Sequence, residues 1–269
     1  MYNPSVKTVI LLPAFNEEVS IRPLFESFNN LFANSPSQYL LIICNDGSTD
    51  DTESEVNYWG DFFQLNVQLI NHKINRGLGE TIRDLFESSL DYVADNDVIV
   101  RMDCDNTHNP HIIPLMRTKI EEGYDVVIAS RFAKGGGQIG LNFSRRFLSR
   151  AATYFMKLTF AIPGVKEYTC GFRAYRAQTI RTALHIFGND FVQLKNLGFV
   201  CTLEKLLKLH LMGVKIVEVP LLLEYDKKLS SSKMIFSITV LGYFVMTLLF
   251  FWPRTGWKAT MKKRGTGRK

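Results

Sequence analysis

Two aspartates one residue apart, Asp103 and Asp105, close the run Val98-Ile-Val-Arg-Met-Asp-Cys-Asp105. In extended backbone alternate side chains point the same way, so both carboxylates converge on one point. Carboxylates brought together repel unless a cation lies between them. A hard divalent cation with oxygen ligands and room for phosphate, Mg²⁺ or Mn²⁺, suits such a pair. The bland alternative is a pair of solvated turn aspartates ahead of a helix near Pro110, and so short a motif does not exclude it. Other polar clusters strengthen the chemical reading. Asn45-Asp-Gly-Ser-Thr-Asp-Asp51 follows an apolar run; it makes an ordinary turn or aims Asp46 at a nucleobase or ribose. Asn75-Arg-Gly-Leu-Gly79 precedes a helix and offers backbone N–H groups to phosphate. It is not the GxGxxG of dinucleotide folds, and no P-loop pattern occurs, which argues against an ATPase. Arg131, Arg145, Arg173, Arg176 and Lys233 spread cations through the second half, as a reaction between phosphorylated substrates requires. His108 and His111 lack the clustered partners of a zinc site and read as loop histidines.

The elements that carry these residues follow from periodicity. Val6–Leu12, Tyr39–Cys44, Val67–Ile70, Val98–Met102 and Val126–Ala129 read as buried strands, the first stopped by Pro13. Between them, residues 19–33, Gly79–Tyr92 and Pro110–Glu122 read as helices, with Pro23 in the first turn of its helix. Alternating strands and helices predict an α/β fold with a mostly parallel sheet flanked by helices. Ligands bind beyond the carboxyl ends of such strands, where Pro13–Glu18, Asn45–Asp51, Asn75–Gly79 and Asp103–Asn109 all fall. After Arg131 the pattern changes. Lys134-Gly-Gly-Gly-Gln138 reads as a flexible lid or linker. Ser144–Phe160 reads as an amphipathic helix with Arg146, Arg150, Thr153 and Lys157 on one side and Phe147, Leu148, Ala151, Phe155 and Leu158 on the other. Thr202–His210 reads as a helix, Lys215–Tyr225 as a strand-like run and Lys227–Lys233 as a basic loop.

The 269 residues are 46% hydrophobic, enough for one sizeable core, and the net charge of +6 fits phosphorylated ligands or an anionic membrane face. No nucleic-acid recognition module and no internal repeat occur. Cys44, Cys104, Cys170 and Cys201 are scattered, and Val6–Leu12 is too short for a secretory leader, so reduced thiols and a cytoplasmic site are expected. Met234–Trp252 carries no charge, and beyond it Arg254, Lys258, Lys262, Lys263, Arg264, Arg268 and Lys269 stand without an acid. Hydropathy alone makes 234–252 a span, but a span would carry that tail away from the cytoplasm, against the positive-inside tendency. A non-spanning helix on the cytoplasmic face, with or without a membrane-protein partner, is therefore expected.

In order along the chain, Pro13-Ala-Phe-Asn-Glu-Glu18, Asn45-Asp-Gly-Ser-Thr-Asp50, Asn75-Arg-Gly-Leu-Gly79, Asp103-Cys-Asp105, Ala129-Ser-Arg-Phe132, Thr169-Cys-Gly-Phe-Arg173, Glu218-Val-Pro220 and Ser232-Lys233 resemble the family 2 glycosyltransferases of GT-A fold. They are most similar to the polyprenyl-phosphate, dolichol-phosphate mannose synthase-like branch, and the likeness covers roughly residues 6–234. The resemblance implies a catalytic domain over 1–233, nucleotide-binding to 130 and acceptor-binding from 131, followed by a membrane-associated helix and basic tail over 234–269. It implies nucleotide-sugar contacts from Pro13, Ala14, Asn16, Glu17, Asn45, Asp46, Gly77, Asp103 and Cys104. It implies Mg²⁺ or Mn²⁺ on Asp103 and Asp105. Asp105, Arg131, Arg173 and Lys233 would act in catalysis, and Arg131, Arg145, Arg146, Lys228 and Lys233 would gather the acceptor phosphate. Asn45 stands where many relatives have Asp, Thr107 where a Gln is common and Glu167 where an Asp precedes the threonine. Either Lys227 or Lys228 replaces the usual Arg ahead of Ser232-Lys233. The QxxRW motif of processive synthases is absent.

The expected reaction is metal-dependent, inverting transfer of a sugar from a nucleoside diphosphate to a membrane polyprenyl (dolichyl or undecaprenyl) phosphate. The rival is a sugar-hydroxyl acceptor with Glu167 as base. A non-catalytic docking protein of the same fold fits the intact Asp46, Asp103 and Asp105 less well.

Overall fold

The apolar runs pair into one sheet because their side chains have no polar face to present to water. The computed structural model describes residues 7–33, 38–140, 143–229 and 236–263. In chain order the elements are β1 (Thr8–Ala14), α1 (Glu18–Phe32), β2 (Tyr39–Asn45), α2 (Thr52–Phe62), β3 (Val67–Asn71), α3 (Leu78–Ser89), β4 (Val98–Arg101), α4 (Ile113–Glu121) and β5 (Val126–Ser130). There follow β6 (Gly137–Ile139), α5 (Phe143–Phe160), β7 (Arg173–Arg176), α6 (Ala177–Phe187), α7 (Val200–Leu211), β8 (Ile216–Pro220), β9 (Leu222–Glu224), α8 (Phe236–Phe251) and α9 (Trp257–Lys263).

The main sheet runs β3-β2-β1-β4-β7-β5-β8. Every pairing is parallel except those of β7, which runs antiparallel to both β4 and β5. Because β7 lies between β4 and β5, residues on both sides of position 131 share one sheet. Val9, Leu11, Leu40 and Ile42 face one core, with α3, α6, α7 and α8. Ile10, Leu12, Leu41 and Ile43 face the other, with α1 and α4. The alternation is the period of a strand buried on both sides.

β1 does not stop at Pro13 but continues to Ala14, paired with Asn45 of β2. The β4 pairing ends at Leu11 with Arg101. Leu11 accepts the Met102 N–H, and Ala14 accepts the Asp46 N–H on the β2 side. Pro13 therefore turns its nitrogen toward the β4 side, past the last partner, where no donor is needed. Pro23 is the sixth residue of α1 rather than part of its first turn. Of the glycine-rich stretch expected as a flexible lid or linker, Gly137 and Gln138 enter β6, which pairs in parallel with β9. The strand-like run after Lys215 splits into β8 and β9 at Leu221, whose N–H donates to Ser130.

Among the described side chains of α5, which begin at Arg150, Thr153, Met156 and Phe160 are buried. The expected apolar side faces outward: Phe155 is 53% and Leu158 67% exposed, beside Tyr154. Phe160 contacts Phe250 and Phe251 of α8, so the two helices are neighbours. α8 buries Thr239, Met246 and Phe250, while Leu241, Phe244, Leu248 and Trp252 are exposed. Its 16 residues extend about 24 Å, short of a hydrocarbon core of about 30 Å. Among the described residues no helix is long and apolar enough to cross a membrane.

α9 then folds back onto the domain. Trp257 is buried and its Nε1–H donates to Gln193 Oε1 at 2.9 Å, while Lys208 Nζ lies 4.2 Å from its ring centre. Trp257→Ala is expected to cost about 3 kcal/mol from the lost ring and hydrogen bond. Urea unfolding and limited proteolysis measure this; cleavage after residue 252 no faster than in the wild type would show that Trp257 does not hold the hairpin.

Candidate active site

Three loops at the carboxyl ends of β1, β2 and β3 are knitted by their own polar groups. Asn16, with φ 52°, donates its N–H to Ser48 Oγ and accepts the Thr49 N–H on Oδ1. Asparagine tolerates that left-handed backbone. The Glu17 N–H donates to Thr52 Oγ1, and Ser20 Oγ to Glu17 Oε2. Asn45 donates to Asn71 Oδ1 and accepts the Ser48 N–H, so it shapes the loop rather than lining the cleft. The same holds for Asn16. Gly47 is required: a Cβ there would lie 2.4 Å from the Ile74 carbonyl carbon. That approach brings Arg76 and Gly77 over Asp46, whose oxygens accept both N–H groups at 2.9 Å.

β4 delivers the aspartate pair. Arg101 is buried within the sheet, and its Nη2 lies 2.6 Å from Asp103 Oδ1. The contact is ionic rather than aligned, since neither Nε nor Nη2 completes a hydrogen bond. The guanidinium lies against Gly171, where a Cβ would stand 1.5 Å from Nη1. The glycine of the Thr169–Arg173 motif thus makes room for the countercharge of Asp103. The Asp103 N–H donates to His108 Nδ1 at 3.1 Å. Burial holds the His108 imidazole below its ordinary pKa, and its Nε2 faces Cys170 Sγ. It is a neutral packing group, as a loop histidine would be.

Asp105 Oδ1 accepts from the Thr107 hydroxyl at 2.7 Å, and Oδ2 accepts from Lys228. Burial alone raises the Asp105 carboxyl, but the Lys228 ammonium and the hydrogen bonds from Lys228 and Thr107 outweigh it and hold it low. Burial likewise lowers the Lys228 ammonium, and Asp105 more than reverses this. Of the two adjacent lysines it is Lys228 that reaches the aspartate pair; Lys227 is 57% exposed and pairs with Glu224.

These groups surround a cleft of about 510 Å³. Pro13, Ala14, Glu17, Asp46, Gly77, Asp103, Cys104, Asp105 and Lys228 line it, as the sequence suggested. So do Phe15, Asn75, Arg76, Leu78 and Thr81 from the same loops, and Lys195, Asn196, Gly198 and Phe199 ahead of α7. Ile238 of α8 also lines it. The segment 195–199 carries no motif, and nothing in its composition announced it.

Two expected cations are not in the cleft. Arg173 is fully buried in β7 and donates to the Thr202 and Tyr168 carbonyls, a packing role inside the sheet. Arg131 is buried and bidentate to Glu167, at 2.7 and 2.8 Å, and also reaches Thr169 Oγ1. Glu167 is buried, and its oxygens accept from Arg131, the Thr169 N–H and hydroxyl and the Cys170 N–H. Burial alone raises its carboxyl; Arg131 and these donors outweigh burial and hold it low. The Arg145 and Arg146 side chains, and Lys233, lie outside the described residues.

Two carboxylates on one wall fit a hard divalent cation that takes its remaining oxygens from a diphosphate and water. Among the described residues no group of three or more His, Cys, Asp or Glu side chains gathers to hold a metal ion.

The profile of glycosyl transferase family 2 matches residues 9–184. The chain belongs to that family. A dolichol-phosphate mannosyltransferase of Pyrococcus furiosus is 28% identical over 216 residues, 80% of this chain and 56% of that protein. This chain thus spans little more than half of that relative. An undecaprenyl-phosphate mannosyltransferase of Micrococcus luteus is 28% identical over 232 residues, 85% of this chain and 88% of its own. These likenesses agree with the polyprenyl-phosphate branch read from the motifs. Glucosyl-3-phosphoglycerate synthase of Mycobacterium tuberculosis, solved with Mn²⁺, UDP and phosphoglyceric acid, superposes with a TM-score of 0.59. At 17% identity, over 91% of this chain and 78% of that one, it shows the shared GT-A fold.

Gly171→Ala is expected to push the Arg101 guanidinium off Asp103, at a cost of about 1–3 kcal/mol for overpacking. The gain in melting temperature on adding nucleoside diphosphate with Mn²⁺ should shrink as well. A gain equal to that of the wild type would show that Asp103 does not depend on Arg101.

Proposed function

We propose that this family 2 glycosyltransferase moves one sugar from a nucleoside diphosphate to a membrane polyprenyl phosphate, with inversion and with help from Mg²⁺ or Mn²⁺. The observation that carries the acceptor class is the state of Glu167. A hydroxyl acceptor needs a base, and Glu167 was its candidate. Here Glu167 is fully buried, is not among the residues that line the cleft, and is held on both oxygens by Arg131, with Thr169 and Cys170 also donating to Oε1, so it is engaged in the fold. A phosphate monoester needs no base, because its second pKa of about 6 leaves it largely ionised at neutral pH.

The chain's residues then have distinct tasks. Asp46 and the Arg76–Gly77 backbone hold the nucleotide end of the cleft, and Glu17 the wall beside it. Asp103 and Asp105 would hold the divalent cation, which when bound neutralises charge on the donor diphosphate. Lys228 stands at Asp105, where its ammonium meets an incoming phosphate. A phosphate oxygen attacks the anomeric carbon, and the bond from that carbon to the diphosphate oxygen breaks. The nucleoside diphosphate leaves with the electron pair, and the sugar is inverted. Arg131 shapes the acceptor side through Glu167 instead of touching phosphate.

A lipid acceptor also accounts for the exposed apolar faces of α5 and α8. Tyr154, Phe155 and Leu158 on one, and Phe244, Leu248 and Trp252 on the other, suit the acyl boundary of a bilayer. Ile238 places the same α8 in the cleft wall, so a membrane-embedded phosphate has a short route to Lys228. Lying on the surface, rather than spanning it, agrees with the return of α9 to the domain. The named acceptors of the Pyrococcus and Micrococcus relatives, dolichol phosphate and undecaprenyl phosphate, belong to the same chemical class.

Asp105→Asn is expected to lower transfer from GDP- or UDP-sugars to polyprenyl phosphate by a hundredfold or more, on the order of other lost charge stabilisers. Glu167→Gln is expected instead to lower the melting temperature, because it strands the buried Arg131 charge. Lipid-product mass spectrometry on protein kept folded separates the two effects; transfer lost with Glu167→Gln but kept with Asp105→Asn would restore the hydroxyl acceptor. Phe155→Glu with Phe244→Glu should weaken sedimentation with vesicles of anionic phospholipid by about tenfold per residue. Equal sedimentation would place the membrane contact elsewhere.

A further inference from the structure

His72 follows the last residue of β3, and its side chain is 6% exposed. Nδ1 lies 2.7 Å from Asp46 Oδ1, and Nε2 lies 3.0 Å from Asp84 Oδ2 on α3. The ring therefore spans two carboxylates. Each carboxylate also holds Arg76. Asp46 Oδ1 accepts the Arg76 N–H, and Asp84 Oδ2 accepts Arg76 Nη1 at 2.7 Å. The Gly77 N–H, next in the chain, donates to Asp46 Oδ2. Asp46, Arg76 and Gly77 line the cleft, whereas His72 and Asp84 stand behind it.

We propose that His72 is a positioning residue for the nucleotide sugar. By bridging Asp46 and Asp84 it fixes the Arg76–Gly77 backbone and the entrance to α3 in the shape that receives the donor. This rests on the nucleotide-sugar reading of the cleft. The chemistry is specific to imidazole. A ring protonated on both nitrogens donates in two opposite directions, one to each carboxylate. A neutral ring donates once and sets a lone pair against the other carboxylate. Without a cation between them the two carboxylates repel, and Asp46 turns from the N–H groups it orders.

The remaining neighbours do not take over that task. Cys44 Sγ, from β2, lies 3.4 Å from Nε2. Burial first, and the Asp46 charge second, push its thiol up to about 12, so it stays protonated. Arg76 Nη1 lies 3.5 Å from Nε2, and its charge is already engaged by Asp84 and Glu80. Arg83 is committed to Asp84, Glu80 and Glu87. Arg76 reaches Asp46 only through its backbone N–H and Asp84 through its guanidinium, and of these side chains it is the His72 ring that bridges the two carboxylates.

The test uses the full chain with Mn²⁺ and two probes, GDP-mannose and UDP-glucose. His72→Gln keeps one donor direction, and Asp84→Asn keeps the shape while removing one charge. His72→Gln is expected to weaken binding of the preferred probe about tenfold in calorimetry, the size of one lost charge-assisted hydrogen bond. KM should rise with it while kcat changes little, a split that general loosening of the fold does not produce. Asp84→Asn should act in the same direction. Wild-type affinity in folded His72→Gln and Asp84→Asn overturns the inference alone. Failure of the wild type to bind either probe overturns the nucleotide-sugar reading and this inference with it.

Discussion

Glu17, Asp46, Asp103 and Asp105 share one cleft at the end of a sheet, and like charges so close cannot all persist in a site of low dielectric without compensation. Asp103 has Arg101 beneath it, Asp105 has Lys228 beside it and Asp46 has His72 together with two backbone N–H groups. Glu167, behind the acceptor side, has Arg131. The arrangement of cations around these acids decides which carboxylates remain able to meet a ligand and which are spent on holding the fold.

Several otherwise unrelated features follow from that constraint. Gly171 leaves room for the Arg101 guanidinium, and Gly47 lets the 72–77 loop close on Asp46. Thr107, where related sequences often carry glutamine, fixes Asp105 with its hydroxyl. The Thr107 carbonyl in turn accepts the Glu224 N–H, which ties the aspartate loop to the strand that leads to Lys228. The aspartate loop and the segment that carries Lys228 are thus joined through backbone as well as through the Lys228–Asp105 pair.

The apolar helices extend this arrangement outward. α8 has one face on the domain, one face exposed and its first turn in the cleft wall. The proposed lipid acceptor, with a charged headgroup and a hydrocarbon tail, would meet such a helix beside the opening. α9 holds the far end of α8 on the domain through Trp257.

The strands β1 to β5 and the helices α1, α3 and α4 were legible in the sequence because burial on both faces leaves unbroken apolar runs and turn chemistry marks their ends, whereas α2, the antiparallel β7 and α6 were not. The Asp103/Asp105 pair, the Asp46 loop and the glycine loop were legible for the same local reason. What each charged residue does was not. Arg131 and Arg173 look alike in sequence to Lys228, yet the first is bound to Glu167, the second lies inside the sheet and only the third reaches the cleft. Arg101 and His72 carried no signal, because their partners Asp103, Asp46 and Asp84 become neighbours only once parallel strands align and α3 packs beside them. The uncharged 234–252 run announced a membrane helix, but uniform apolarity does not say which face meets protein. Sequence determines which segments must leave water and which groups are able to do chemistry. Only the tertiary structure decides which charge faces which, because electrostatic pairing depends on ångström distances between residues far apart in the chain.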